Sequence, residues 1–288
     1  MSANGRGATP LTGQQPEFDA GDASSAACPA PPPERRFGGV ARLYGEAGLA
    51  RFARARVGVI GLGGVGTWAA EALARSGVGR LRLIDLDHVS ESNTNRQIHA
   101  LETEFGKAKV VAMAERIALI NPQAQIEAIE EFVTAGNVPH LLDGLDIVID
   151  CIDQVPAKAA LVARARITGL PVVTCGGAGG RKDPLRIRRA DLARTHGDPL
   201  LAALRQRLRQ EYGFSPARGK VAPLFGVAAI FSDEQLQWPH LAVPSPQADA
   251  AVPGSPLACG GYGSAVTVTA TMGFAAAACA LELLQGDG

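Results

Sequence analysis

Three glycines and an acid carry the first chemical signal in this chain. Gly61, Gly63 and Gly66 stand in VIGLGGVG (59–66), between an apolar run and an alanine-rich stretch, and Asp85 closes the next apolar run, LRLID (81–85). A turn free of side chains brings backbone N–H groups against a phosphate, and an acid one strand further on meets a ribose. Gly64 makes the turn more permissive still. Turns of this kind serve NAD, FAD, S-adenosylmethionine and ATP alike, so they indicate a nucleotide without naming it.

The stretch that follows narrows the choice. Ser92-Asn93-Thr94-Asn95-Arg96-Gln97 and Gly106-Lys107-Ala108-Lys109 place cations and amides just past the ribose-binding acid. Hydride transfer has little use for them. A triphosphate needs its charge clamped, and needs the charge that moves onto leaving pyrophosphate stabilised. Arg96 offers a planar fork and Lys109 a point charge, while Asn93 and Gln97 can orient by hydrogen bonds. Lys107 reads instead as a solvated helix start. Asp150 and Asp153 fall in IVIDCID (147–153), at the carboxyl end of a buried strand, where open α/β sheets bind ligands. Asp153, at the tip, is the candidate magnesium ligand, and Asp150 the candidate for a structural hydrogen bond.

Composition bounds the rest. The 288 residues carry zero formal net charge, so no global field points to a nucleic acid or a membrane. Five cysteines, at 28, 151, 175, 259 and 279, form no CxxC pair, which excludes a paired-CxxC zinc site. Their odd, scattered number speaks for a reducing compartment, the cytoplasm, and against a disulfide framework. Residues 1–33, rich in Gly, Ala, Ser and Pro, lack the pattern of a signal peptide and read as a disordered tail. The apolar run 265–284 reads as a strand-like start (AVTVTAT) leading into a buried helix rather than a membrane span.

These residues need a scaffold, and the periodicity supplies one. Strands are expected at 57–61, 81–85, 126–133, 147–153 and 171–177, with helices at 64–76, 107–120 and 156–168 between them and a helical lead-in over 34–56. That alternation implies an α/β, Rossmann-like, mainly parallel sheet with helices on both faces. Beyond Gly180, LRIRRADL (185–192) and FGVAAIFS (225–232) flank a charged helix (201–212) and predict an antiparallel C-terminal extension of the same sheet, followed by a Pro-rich loop (239–256). Residues 34–288 are thus expected to form a single domain. Within 181–220 there are 11 Lys or Arg against four acids, either a surface for RNA phosphates or an ordinary solvated face. GGAGG (176–180) exposes backbone N–H groups able to take a carboxylate or phosphate.

The pieces GLGGVG (61–66), IDLD (84–87), SNTNRQ (92–97), GKAK (106–109) and CIDQV (151–155) resemble the adenylating superfamily of ubiquitin-activating enzymes and the molybdopterin- and thiamine-biosynthesis adenylyltransferases. The resemblance implies ATP and Mg2+ as cofactors. Gly61, Gly63, Gly64, Gly66, Asp85, Asp87 and Gln97 would line the nucleotide, and Asp85 would hold the ribose. Asn93, Arg96 and Lys109 would contact the phosphates, and Asp153 would bind the metal. It also implies a homodimer, with Arg36 or Arg42 reaching the partner's ATP. Thioester transfer, as in ubiquitin activation, needs an accessible thiol, and only Cys259 in ACGGYG (258–263) offers one. Further matches in order, RFGGVARLYGE (36–46), NTNRQIHAL (93–101), GGAGG (176–180), DPL (198–200) and TVTATMGF (267–274), resemble the tRNA threonylcarbamoyladenosine dehydratases. That family implies an anticodon-loop tRNA substrate and ATP-driven ring closure of its threonylcarbamoyl side chain, with a sulfur-transfer protein as a further partner. Alanines 228 and 229 stand where some members carry cysteine. The competing expectations are activation of a carrier protein's C-terminus and NAD-dependent oxidoreduction.

Overall fold

The structure, a computed structural model, describes residues 33–216, 223–237 and 262–286. Of the tail expected over 1–33 only Pro33 is described, and it begins a helix; the rest of the tail with Cys28, and Cys259, Arg218, Lys220 and the Pro-rich loop, lie outside the described residues.

One seven-stranded sheet organises the fold, in the order β3-β2-β1-β4-β5-β7-β6. Its strands are β1 (Arg56–Ile60), β2 (Arg80–Ile84), β3 (Gln125–Ile129), β4 (Ile147–Asp150), β5 (Val172–Cys175), β6 (Ile187–Asp191) and β7 (Ala228–Ser232). All neighbouring strands pair in parallel except β6 with β7. The expected antiparallel extension is therefore confined to β6, because β7 crosses over β6 to pair in parallel with β5. The chain runs outward from β1 through β2 to β3, then returns to β1's other side with β4. That reversal opens a crevice at the carboxyl ends of β1 and β4.

The helices are α1 (Pro33–Arg54), α2 (Gly66–Arg75), α3 (Lys109–Ile120), α4 (Val138–Leu141), α5 (Val155–Thr168), α6 (Pro199–Glu211) and α7 (Val266–Gln285). Strand side chains alternate between two cores. Val57, Val59, Leu81, Leu83, Ile147 and Ile149 pack with α2, α3 and α7 on one face. Ile60, Ile84, Val148, Val172, Ala229 and Phe231 pack with α5 and α6 on the other. Period two on a sheet covered on both faces produces this partition.

Two expectations need correction. AVTVTAT forms no strand: α7 is helical from Val266 onward. Its β-branched residues favour a strand locally, but packing overrides propensity here. By length and composition α7 is apolar enough to cross a membrane, yet 56% of its most apolar window is buried inside the fold. The strand expected over 126–133 stops at Ile129, leaving 130–133 to turn toward the crevice. The lead-in helix α1 is kinked at Gly45, where φ is 77° and ψ 159°.

Gly273 lets α7 lie directly on α2. A methyl group there would sit 2.5 Å from the Val65 carbonyl oxygen and 2.9 Å from the Ala69 nitrogen. Gly273→Ala should therefore lower unfolding free energy by about 1–3 kcal/mol, the usual cost of overpacking a close contact. Urea unfolding reads it; an unchanged midpoint would mean that the two helices separate without cost.

Candidate active site

The crevice holds a cavity of about 410 Å³ lined from both sides of the β1/β4 divide. Its first half is built by the glycine turn. Gly61 has φ 88°, which favours glycine, and a Cβ there would lie 2.9 Å from the Cys151 backbone. A Cβ on Gly66 would sit 1.8 Å from the Gly61 carbonyl oxygen. Gly64 lies under Arg96, whose Cγ would be 3.2 Å from a Cβ. Gly63 has open space around it. Gly61, Gly63 and Gly64 line the cavity; Gly66 does not, and serves to join the turn to α2.

Asp85 is positioned by backbone. It accepts from the Leu62 N–H at 2.5 Å and from the Asp87 N–H at 2.8 Å. Burial pushes its carboxyl above the ordinary range, against the pull of Lys109 and both N–H groups. Lys109, 5% exposed, donates to Asp87 at 2.8 Å, so a clamp of opposite charges faces the cavity. Arg96 also lines the cavity, and its guanidinium donates to the Ser92 carbonyl and to Asn95 Oδ1, at 2.8 and 2.9 Å. No carboxylate neutralises it among the described residues, which leaves its charge for an anion. The Trp68 indole and the Thr269 hydroxyl hold its backbone carbonyl, at 2.9 and 3.4 Å. Gln97 is buried in the cavity wall with Oε1 unpartnered among the described residues.

Asn93 is placed differently from its expected role. It is buried outside the cavity lining, and its Oδ1 accepts from the Ser90 N–H at 3.1 Å, so it shapes the turn that carries Arg96. The two acids at the end of β4 and beyond it are placed differently. Asp150 is fully buried, 2.9 Å from Lys158 and 2.7 Å from the Thr174 hydroxyl. Asp153 lies three residues beyond the strand, exposed at the cavity rim. Among the described residues no group of three His, Cys, Asp or Glu could hold a metal. Magnesium fits all the same, since it takes one or two carboxylates and completes its shell with substrate phosphates and water. Leu86, Phe132, Val133, Ile152 and Ala157 form an apolar wall sized for a base. Arg36 and Arg42 both stay outside their own cavity, and Arg36 donates to the Ile120 carbonyl at 2.5 Å.

A model of the ThiF family matches residues 39–288. The chain is 48% identical, over 87% of its length and 94% of the relative's, to the tRNA threonylcarbamoyladenosine dehydratase of Escherichia coli, and 42% identical over the same shares to that of Haemophilus influenzae. The chain belongs to the ThiF family, on its tRNA threonylcarbamoyladenosine dehydratase branch. The crystal structure of the Escherichia coli dehydratase in complex with ATP superposes with a TM-score of 0.76 at 46% identity, covering 87% of this chain and 94% of that one.

One further feature of this family member departs from what its sequence suggested. Cys151, expected inside a buried strand, lies just past β4 and lines the cavity. Its Sγ donates to Cys175 Sγ at 3.8 Å. That contact, with burial, holds its thiol well above the usual range, so it makes a poor nucleophile. Five of the cations described in the basic run 181–220 are paired with acids. Arg181 pairs with Asp198, Arg186 and Arg188 with Asp233, Arg189 with Glu282 and Arg207 with Glu211. Asp233 and Glu282 lie outside the run, so counting charge along the sequence overlooked them.

The histidine of the QIH triplet (97–99) went unread in the sequence. His99 is 1% exposed, and neither ring nitrogen has a hydrogen-bond partner among the described residues. The Leu62 carbonyl faces the ring outside hydrogen-bond geometry. Burial first, then the Lys109 charge, lower its pKa to about 4; Glu104 opposes this and Arg116 adds to it. The unfolded chain takes that proton near 6.5, so between about 6.5 and 4 acid favours unfolding, whereas above 6.5 both states are neutral there. Between pH 7 and 4 His99 should cost the fold about 2–3 kcal/mol. Urea midpoints measured against pH should fall less steeply in His99→Leu than in the wild type; parallel profiles would remove His99 from this role.

Proposed function

We propose that the chain catalyses ATP-dependent dehydration of threonylcarbamoyladenosine in tRNA, closing the side chain into a ring. The observation that carries this reading is one continuous cavity. A cationic, glycine-turned nucleotide half meets a second glycine-rich half, and among the described residues no reactive thiol stands between them. Residues 34–288 act as a single ATP-binding domain in this reading, and the protein works in the cytoplasm, where its thiols stay reduced.

The glycine turn and Asp85 seat the nucleotide, with the triphosphate over Gly63 and the ribose against Asp85. Arg96 and Lys109 hold phosphate oxygens, Lys109 shared with Asp87, and Gln97 supplies an amide nearby. Asp153 would hold Mg2+, which would supply charge neutralisation for the departing pyrophosphate. The side-chain carboxylate attacks the α-phosphorus, and the bond to pyrophosphate breaks. An atom of the same side chain then attacks the activated carboxyl carbon, and AMP leaves with the oxygen that would have been water. Attack within one side chain benefits from a high effective concentration, so no thioester relay is needed. The modified base lies in the single-stranded anticodon loop and reaches the cavity without melting a duplex. A homodimer, with Arg36 or Arg42 offered to the partner's ATP, and a sulfur-transfer protein are the partners this reading adds.

The test is direct. Purified protein, ATP, magnesium and tRNA bearing threonylcarbamoyladenosine are incubated, and the digested nucleosides are weighed. The expected product is that nucleoside less one water, formed only with ATP. ATP binding without this change would move the assignment to activation of a carrier protein ending in Gly-Gly. Arg96→Ala and Asp153→Ala should each lower kcat/KM by roughly 10²–10³-fold, the usual loss for an electrostatic group at the transition state, with unchanged melting temperatures. Full activity in either variant would break the assignment of that residue.

A further inference from the structure

The loop 176–180 contains four glycines, and the fold accounts for only two. A Cβ on Gly176 would lie 2.3 Å from an Asp198 carboxylate oxygen. Gly180 has φ 71° and sits against the Gln237 carbonyl. Gly177 and Gly179 have neither reason. Neither adopts a positive φ. A Cβ on Gly177 would meet nothing nearer than the Arg181 guanidinium at 3.8 Å, and one on Gly179 would make ordinary contacts of 3.5 and 3.6 Å with Gly263 and Tyr262. Both face the cavity.

The nucleotide half shows the same division. Gly61 and Gly66 are demanded by backbone contacts, whereas Gly63 has open space around it at the phosphate position. A glycine that the fold does not need, facing a cavity, is a place where a ligand approaches backbone closely.

A second observation points to the same lobe. Arg181, 2% exposed, lines it. Its Nη atoms donate to the Gly177 and Gly197 carbonyls and pair with Asp198, but its buried Nε–H has no partner among the described residues. Asp198 in turn accepts from the Gly177 and Leu201 N–H groups, at 3.0 and 2.9 Å, and so fixes the loop to the start of α6. The Ala178 and Gly179 N–H groups donate to no described residue. Bare N–H groups beside a guanidinium form a seat for a carboxylate.

We propose that this half of the cavity binds the carboxylate-bearing acyl side chain of the modified adenosine. Gly177 and Gly179 admit it against bare backbone, and Arg181 holds the loop that receives it. The inference rests on the dehydratase reading and adds to it the residues that select the substrate. The Ala178 and Gly179 N–H groups orient the carboxylate toward the α-phosphate, which lies over Gly63 across the crevice.

The experiment uses the full chain with tRNA bearing threonylcarbamoyladenosine. Gly179→Ala and Gly177→Ala should fold with unchanged melting temperature and bind ATP with wild-type affinity by calorimetry. Their kcat/KM for the tRNA should fall at least tenfold, chiefly through KM. Gly176→Ala, which clashes with Asp198, should instead lose thermal stability. Wild-type kcat/KM in both cavity variants would overturn the proposal and leave the dehydratase reading intact. Loss of ATP affinity in either would overturn it too, by placing the loop in the nucleotide site. A wild-type protein that removes no water from the nucleoside would overturn the dehydratase reading and this proposal together.

Discussion

A methyl group at position 66 would overlap the carbonyl oxygen of Gly61, and one at 61 would press on the backbone after β4. That lack of room is the constraint on which the site depends. It brings the start of α2 against the end of β1 and keeps β4 close beside the turn. The crevice at the strand-order reversal then becomes a phosphate seat floored by backbone. Side chains could supply charge there, but the close approach itself requires their absence.

The charged groups are arranged so that Arg96 and Lys109, the cations beside the glycine turn, are each held in place. Lys109 is tethered to Asp87, and Arg96 is held by carbonyl and amide oxygens, with its backbone fixed by α2 and α7. His99, buried beside Lys109, stays neutral at physiological pH, so it adds no competing positive charge beneath the turn. Preorganisation of this kind is what an electrostatically driven transfer requires, because donors already in place need no reorganisation during reaction. Lys158 extends the same logic under β4. It pairs with Asp150 and also donates to the Ile152 carbonyl at 3.0 Å, setting the path of the chain toward Asp153.

Much of this was legible in the residues themselves. The glycine spacing, the acid at 85, the cations at 96 and 109 and the acids at 150 and 153 act through short chain segments, and a strand-turn-helix unit places them in a predictable order. Strand and helix alternation likewise follows from local periodicity, and all seven strands fall within the segments it marks out, to a residue or so at their ends. The errors arose where distant packing decides. TVTAT (267–271) has the composition of a strand, yet it became helix because Gly273 allows α7 onto α2. Asn93 has the chemistry of a phosphate contact, yet its amide closes the turn at Ser90. The charge of 181–220 is offset in part by Asp233 and Glu282, which come from outside the run.

The sequence alone thus determined the nucleotide-binding turn, the charged groups that line the crevice beside it and the layered sheet, because each depends on neighbours within a few residues. Only the tertiary structure decided what stands opposite them. Trp68 and Thr269 behind Arg96, and Asp198 at the start of α6 beneath Gly177 and Arg181, bring together segments apart along the chain. Whether a glycine serves the backbone or a ligand depends on which atoms face it, and those atoms come from residues that no local spacing brings together.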